Sequence, residues 1–429
     1  MDQDPKLRLR SAGAPRPGSA ASSQAPFPYR PEIAGDPRLR LQSSEDFPIV
    51  VHSHLRWSFV WQRPQQTHSR LARRHRVLFL EEPIHAGTGE SSRLNLQEVA
   101  PNVIVAQPVI EDVPGEGFEE RERRVHAVLR EALAGPLGRK FARAAHWLYT
   151  PLMEPQVALF RQPLAVLYDC MDELANFAFA PEQLAERERR LIARADVVFT
   201  GGHELYLAKK ALHANVHAFG CGVDFEHYHR VAGGLPEAAD LAAIPRPRLG
   251  YVGVIDERLD YELIRRLAEE NAPASVVMVG PIVKVDRETL PDAPNVFYLG
   301  ARDYKSLPHY LAGFDVCLMP FALNEASRYI NPTKTLEYLA SGRPVLSTPV
   351  RDVVRQFSDV VHVAPASDFP AVAHAIVNGA RLDRERGLEK ARRSSWELTV
   401  RRMEELLEQA IARRQKRWDA AAPLREASA

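Results

Sequence analysis

Short β-branched runs alternate with helix-length stretches in two successive series along this chain, and no other feature limits its fold as strongly. The first series reads "FPIVVHSH", "HRVLFLEE", "NVIVAQP", "HWLYTP", "LAVLYDCMD", "DVVFTGG" and "NVHAFGCGVD", ending near Asp224. After a Pro-, Ala- and Gly-bearing connection at 230–247 the pattern restarts with "PRLGYVGVID", "SVVMVGPIV", "NVFYLG", "DVCLMPF", "RPVLSTP" and "VVHVAP". Apolar runs separated by helices mark a parallel sheet, since each strand is covered on both faces and each crossover requires a helix. The pattern predicts an α/β protein of two tandem Rossmann-like, doubly wound domains, over 47–229 and 248–394. Ligands of such sheets bind beyond the carboxyl ends of the strands, so two sheets facing one another form a cleft, and the loops that follow strands carry the chemistry. A last segment, 395–415, places Leu398, Met403, Leu406, Leu407 and Ile411 at helical spacing and is expected to pack back on the first domain. Residues 1–46, rich in Pro, Ser, Ala and Arg, read as a disordered tail, and 416–429 as a flexible one.

Composition narrows the functions. With 429 residues, 45% of them hydrophobic, the chain can bury two cores. A net charge of +1 leaves no general basic footprint and argues against a nucleic-acid partner. Three widely separated cysteines, Cys170, Cys221 and Cys317, argue against a disulfide framework or a zinc site and fit a reducing cytoplasm. No run approaches the roughly 18 apolar residues of a membrane span, and the start lacks a signal-peptide core, so a cytoplasmic protein is expected. With no Asp-x-Asp after a strand, no His-Glu-x-x-His and no Cys pair, no metal is expected. The lack of Walker and Gly-x-Gly-x-x-Gly loops weakens ATPase and dehydrogenase readings.

One stretch stands out, "NPTKTLEYLASGRPVLSTP" at 331–349. Asn331 is a favoured N-cap, Pro332 suits a first helical position, and Gly342 can end the helix before a buried strand. Lys334 fits that frame poorly, because a cation in the first turn opposes the macrodipole unless an anion sits there. Phosphate is the obvious anion; a solvated surface lysine is the other reading.

Several strings, in order, resemble the nucleotide-sugar half of GT-B glycosyltransferases, in the retaining group that includes bacterial mannosyl and polysaccharide transferases. They are "FGCGVDFEHY", with Cys221 where asparagine is usual; "NVFYLGARDYKSLPHYLAGFDVCLMPFALNE", with Gly300, Asp315 and Pro320; "TLEYLASGRPVLSTP"; and Trp396 at the start of the last helix. "HLRWSFVWQRPQQ", "GVIDERLDYELI" and "NEASRYINPTKTLEYLA" look like a subgroup acting on cell-envelope polysaccharides, including teichuronic-acid-type enzymes. The wider family separates two glutamates by seven residues; here Glu325 and Glu337 have eleven between them, and Tyr329 holds the seven-spacing position. The resemblance implies a GT-B fold and a nucleotide diphosphate sugar donor (UDP- or GDP-sugar) without a further cofactor. It also implies retention of anomeric configuration and a glycan or lipid-linked acceptor.

Glycosyl transfer builds negative charge on the leaving diphosphate, which cations must meet. Lys334, the free amides after Pro332, and Arg258 at the end of the second domain's first strand are the candidates, and such a set removes the need for a metal. Glu337 would hold the ribose hydroxyls, with Gly253, Asn331, Thr333 and Glu325 completing the donor site. In the first domain, His54, a catalytic candidate, and the acceptor candidates Arg56, Trp57 and Arg63 follow the first strand, where aromatic and polar groups together suit a sugar. Trp57 and Trp61, four apart, equally suit a core stripe. Asp169 and Asp172 end a later strand, where a carboxylate can take the acceptor's proton; Asp172 could instead be an N-cap. His203 is either an acceptor contact or a helix start. The basic stretches 69–76 and 412–417 suit a peripheral contact with an anionic membrane, or are solvated faces. A non-catalytic glycan or nucleotide binder on the same scaffold, and more remotely a sugar-nucleotide epimerase, are the competing functions.

Overall fold

The computed structural model describes residues 47–87, 90–176, 180–324 and 329–420. The first sheet contains β1 (Ile49–Ser53), β2 (Val77–Glu81), β3 (Ile84–His85), β4 (Arg93–Ala100), β5 (Val103–Ile110), β6 (Ala145–Leu148), β7 (Ala165–Cys170), β8 (Val197–Thr200) and β9 (Val216–Ala218). Its order is β3-β5-β2-β1-β6-β7-β8-β9, with β4 antiparallel on β5 and every other pair parallel. The second sheet contains β10 (Arg248–Val252), β11 (Ser275–Val279), β12 (Val296–Gly300), β13 (Val316–Met319), β14 (Val345–Ser347) and β15 (His362–Val363). It is wholly parallel, in the order β12-β11-β10-β13-β14-β15. Each sheet starts at its middle, winds to one side and then to the other, so strand order reverses beside β1 and beside β10. The crevices beyond those switch points are where a doubly wound sheet binds ligand.

The α/β fold class expected from the alternation holds, and each quoted run forms a strand. The sequence reading missed β3 and β4. In β4 most side chains are exposed, so no apolar run marks it, and it reaches β5 through a tight turn with Asn102 at φ 63°, a backbone state that asparagine tolerates.

Two expected boundaries shift. Val223, Phe225, Tyr228, Val231, Leu241 and Ile244 belong to the core of the second domain, so 230–247 is a packed segment and the change of domain precedes Val223. The Arg248 guanidinium fastens it by donating to the carbonyls of Leu241 (2.6 Å) and Ile244 (2.9 Å). The helix Trp396–Ala420 buries Trp396, Val400, Met403, Leu406, Leu407 and Ala410 in one cluster with Ile49, Val51 and Trp147 of the first domain. Leu398, expected on that stripe, is 55% exposed, and Val400 faces the core in its place. The two passages between domains run side by side: Val223 N–H donates to Ser394 O (2.8 Å) and Trp396 N–H to Val223 O (3.3 Å). Gly222 permits this, since a Cβ there would lie 2.7 Å from Trp396 Cδ2.

The basic stretches are largely engaged within the molecule, which takes charge away from the expected membrane contact. Arg70 pairs with Glu397 (2.8 Å), Arg74 with Glu404 (2.9 Å), and Arg414 (2.8 Å) and Arg417 with Asp196. Among the described residues no helix is long and apolar enough to cross a membrane.

Candidate functional site

The second domain's half of the cleft is built on the loops after β10, β11 and β13. β10 ends at Val252, and Tyr338 ties that end to the helix Lys334–Ser341, its hydroxyl accepting from Val252 N–H at 2.8 Å. The helix buries Thr335, Leu336, Tyr338, Leu339 and Ala340, and closes at Gly342 with φ 71°. Its start lies later than expected: Thr333 holds the N-cap position in helical conformation without a side-chain cap, so neither Asn331 nor Pro332 has the role foreseen. Asn331 is instead wedged against the first domain. Its carbonyl accepts from Cys221 Sγ at 3.6 Å, and a Cβ on Gly202 or Gly220 would come within 3.0 Å of its side chain.

Lys334 and Glu337 are partners. Nζ lies 2.6 Å from Oε2, with the two side chains 19% and 10% exposed. The cation in the first turn is therefore balanced by a carboxylate one turn on. Arg258 is gripped by Asp256 through Nε (2.9 and 3.1 Å) and Nη2 (2.7 Å), and its loop is clamped by the Ala322 N–H on the Arg258 carbonyl (2.9 Å). Burial works against its charge, but the carboxylates of Asp256 and Asp172 outweigh that and hold its pKa above the ordinary range. Gly253, expected in the donor site, has its amide engaged by Val279 O at 2.9 Å. Gly280, at φ 151°, lets the two loops touch there, as a Cβ would stand 1.8 Å from Gly253 O. Glu325 lies outside the described residues.

From the first domain, His54 and Asp172 enter the cleft. His54 follows β1; its Nδ1 is buried without a hydrogen-bond partner among the described residues, and burial together with the charge of Lys284 from the other domain lowers its pKa to about 4, leaving a neutral imidazole. Asp172 follows β7. Burial raises its carboxyl pKa, and the strongest charge opposing that rise is Arg258, across the cleft. It caps no helix among the described residues.

Of the five residues expected to meet the acceptor, four have side chains engaged within the protein, and the fifth, His203, opens a helix. Arg56 donates to Glu81 (3.2 Å) and to the carbonyls of Glu82 and Pro83 (3.3 Å). Trp57 is 8% exposed and packs edge-on against Phe79 at 5.2 Å, the core-stripe alternative. Arg63 and Asp169 are wholly engaged with one another (2.7 and 3.1 Å), with Arg63 also on Phe219 O (2.8 Å) and Trp147 Nε1 donating to Asp169 (3.2 Å). His203 opens the helix His203–Lys209, and its amide is capped by Asp352 of the second domain at 2.9 Å. A short, charged or aromatic string after a strand suits a cleft and an interior equally, and here the interior claims it.

The sequence reading also passed over Asp256, Tyr338, Tyr304 and Lys284. Asp256 sits two residues before Arg258 and was legible as its partner. Tyr304 spans the cleft, its hydroxyl accepting from Gln66 Nε2 at 3.1 Å while its ring stacks on His227 at 4.5 Å. Lys284, at φ 57°, carried no signal beyond following a strand.

Comparison with known proteins bears on the fold that carries this site. Residues 246–380 match the family Glycosyl transferases group 1. Over 260 residues the chain is 26% identical to a Bacillus subtilis protein provisionally assigned as the teichuronic acid biosynthesis glycosyltransferase TuaH, covering 56% of this chain and 65% of that protein's length. Among solved structures, sucrose-phosphate synthase from Thermosynechococcus elongatus superposes with TM-score 0.65 at 16% identity, over 85% of this chain and 99% of that one. HepE of Anabaena, in complex with UDP and glucose, gives 0.61 at 10% identity, over 84% and 99%. These likenesses establish the two-domain fold as GT-B.

Proposed function

For a chain carrying a group 1 glycosyltransferase domain on a GT-B fold, we propose transfer of a sugar from a nucleotide diphosphate sugar to a glycan or lipid-linked acceptor of the cell envelope, with retention and without a metal. The observation that carries this reading is the placement of Lys334, Glu337 and Arg258 around the end of β10, with Asp172 opposite. As the anomeric carbon–oxygen bond breaks, charge accumulates on the departing diphosphate, and preorganised cations in a cleft of low polarity lower the barrier most. Arg258 supplies a planar fork held by Asp256, and Lys334 supplies a point charge. The ribose hydroxyls donate to Glu337 and replace Lys334 as its partner, freeing the ammonium to turn to phosphate. His54, neutral at pH 7, can exchange hydrogen bonds with a sugar hydroxyl, and Asp172 is placed to accept the acceptor's proton. The donor is a UDP- or GDP-sugar, a reading supported by the UDP complex of HepE, and the envelope context by the teichuronic acid relative.

Thermal unfolding with UDP, GDP, ADP, CMP and dTDP tests the donor site. At a hundredfold excess over Kd a ligand adds about 2.7 kcal/mol. One diphosphate should raise the midpoint of the wild type by several degrees and leave Glu337→Ala unmoved; no shift with any of the five rejects the donor assignment. The eleven-residue glutamate spacing favours one second reading, a binder that has kept the scaffold without catalysis. Slow release of free nucleotide from a sugar donor would exclude it.

A further inference from the structure

On the side of the second domain opposite the cleft, at the amino ends of β10, β13 and β14, lies a cavity of about 640 Å³ whose wall includes Arg246, Arg343, Arg381 and Arg384. We propose that this cavity is a second anion site, which takes the phosphoryl group of a small phosphate or diphosphate ester.

The carboxylate in its wall is already neutralised. Asp315 receives Arg246 at 2.6 Å and the Arg248 amide at 2.7 Å, while Glu237 at the rim receives Arg246 (2.6 Å) and Arg248 (2.9 Å). The other guanidiniums are oriented without being neutralised. Arg343 donates to Ala312 O, and Arg381 to the carbonyls of Ile376 and Ala380 (2.8 Å), so among the described residues neither has a carboxylate partner. Arg384 donates to Gly342 O at 3.2 Å, and among the described residues its carboxylate partner is the exposed Glu385, at 3.4 Å. Gly342 makes that approach possible, since a Cβ there would stand 2.8 Å from Arg384 Nε.

Two helices, Lys334–Ser341 and Phe369–Val377, end at this cavity. Their carboxyl ends favour nearby cations, which accounts for the presence of arginine, but each supplies only roughly half a negative charge. Three guanidiniums exceed that supply. What remains is a set of planar donors, held in place by carbonyls before any ligand arrives, in the geometry that suits phosphate oxygens bidentately. The volume admits a sugar phosphate or a nucleotide, and the phosphoryl group could equally belong to a lipid headgroup at the mouth.

The test is calorimetric titration of the full chain with inorganic pyrophosphate at fixed ionic strength, in the wild type, in Lys334→Ala and in Arg381→Gln/Arg384→Gln. Lys334→Ala weakens the donor side, so binding that persists there and is lost on adding Arg381→Gln/Arg384→Gln belongs to the second site. The paired arginine substitution should weaken that binding at least tenfold with an unchanged unfolding midpoint, because both side chains are exposed. Arg381→Lys/Arg384→Lys, which keeps charge and loses the fork, should fall between. Vesicles of phosphatidylglycerol in phosphatidylcholine separate the sources: vesicle binding that the arginine variant loses assigns the phosphoryl group to a headgroup, and pyrophosphate binding without vesicle binding assigns it to a soluble ester. Absence of pyrophosphate binding in Lys334→Ala, or an affinity indifferent to the arginine substitutions, overturns the proposal.

Discussion

The two domains share a winding order and differ in what they bury. Buried in the first sheet and against its two faces are His52, His68, His146, Arg63, Asp169, Arg187 and Lys209, each 6% exposed or less, whereas the core around β10 to β15 is aliphatic and aromatic with Arg248 as a buried cation. Charge in the first domain's interior is held in ion pairs such as Arg63–Asp169 and Lys209–Glu188, whereas in the second domain Arg258, Asp256, Lys334 and Glu337 lie in the segments that follow strands. That contrast decides where a sequence can be trusted to reveal a site.

The sharpest way to break the contrast is Arg63→Ala, which strands the Asp169 carboxylate in the interior. Removing one partner of a buried ion pair costs about 3–5 kcal/mol, measurable as a lower urea midpoint, and Arg63→Met with Asp169→Leu should recover most of it. An Arg63→Ala protein of native stability that fails to use acceptor would return Arg63 to the cleft. The mirror experiment is Arg258→Ala. Turnover should drop by about 10²–10³-fold, the scale of a lost transition-state donor, while the midpoint hardly changes.

Acid should separate the domains as well. His52 and His54 have pKa values lowered to about 4 and His68 to about 3, with burial as the main cause in each. The unfolded chain takes up these protons near pH 6.5 and the folded one does not, so the stability they provide is complete above pH 6.5 and is lost as pH falls towards 4. The loss is on the order of a few kcal/mol, and hydrogen exchange should rise first in β1, β2 and β6. Simultaneous exchange in β10 and β11 would contradict that order. The smallest effect belongs to the last helix: Leu398→Ala should lie within about 0.5 kcal/mol of wild type, against about 2–5 kcal/mol for Met403→Ala.

The strands were legible because burial on both faces leaves an unbroken apolar run, and β4 was not, because an exposed edge leaves none. Lys334 and Glu337 were legible because a charged pair at the start of an otherwise apolar helix violates the local rule. Arg63 and Asp169 looked similar from the sequence, since nothing in "QRPQQ" or "LYDCMD" tells that two residues 106 apart in the chain lie 2.7 Å apart in space. The shift of the helix start from Asn331 to Thr333 was equally hidden, since Asn331 is engaged by Cys221, 110 residues away in the chain.

The side-by-side passages at Val223 and Ser395 have a consequence for biosynthesis. The first domain is completed by the helix Trp396–Ala420, so its core surfaces stay uncovered while the whole second domain is being translated. Domains usually fold in the order in which they emerge from the ribosome. Here the domain that begins first must finish last, and a ribosome stalled within the second domain would hold a nascent chain with an open apolar groove, a natural target for chaperones.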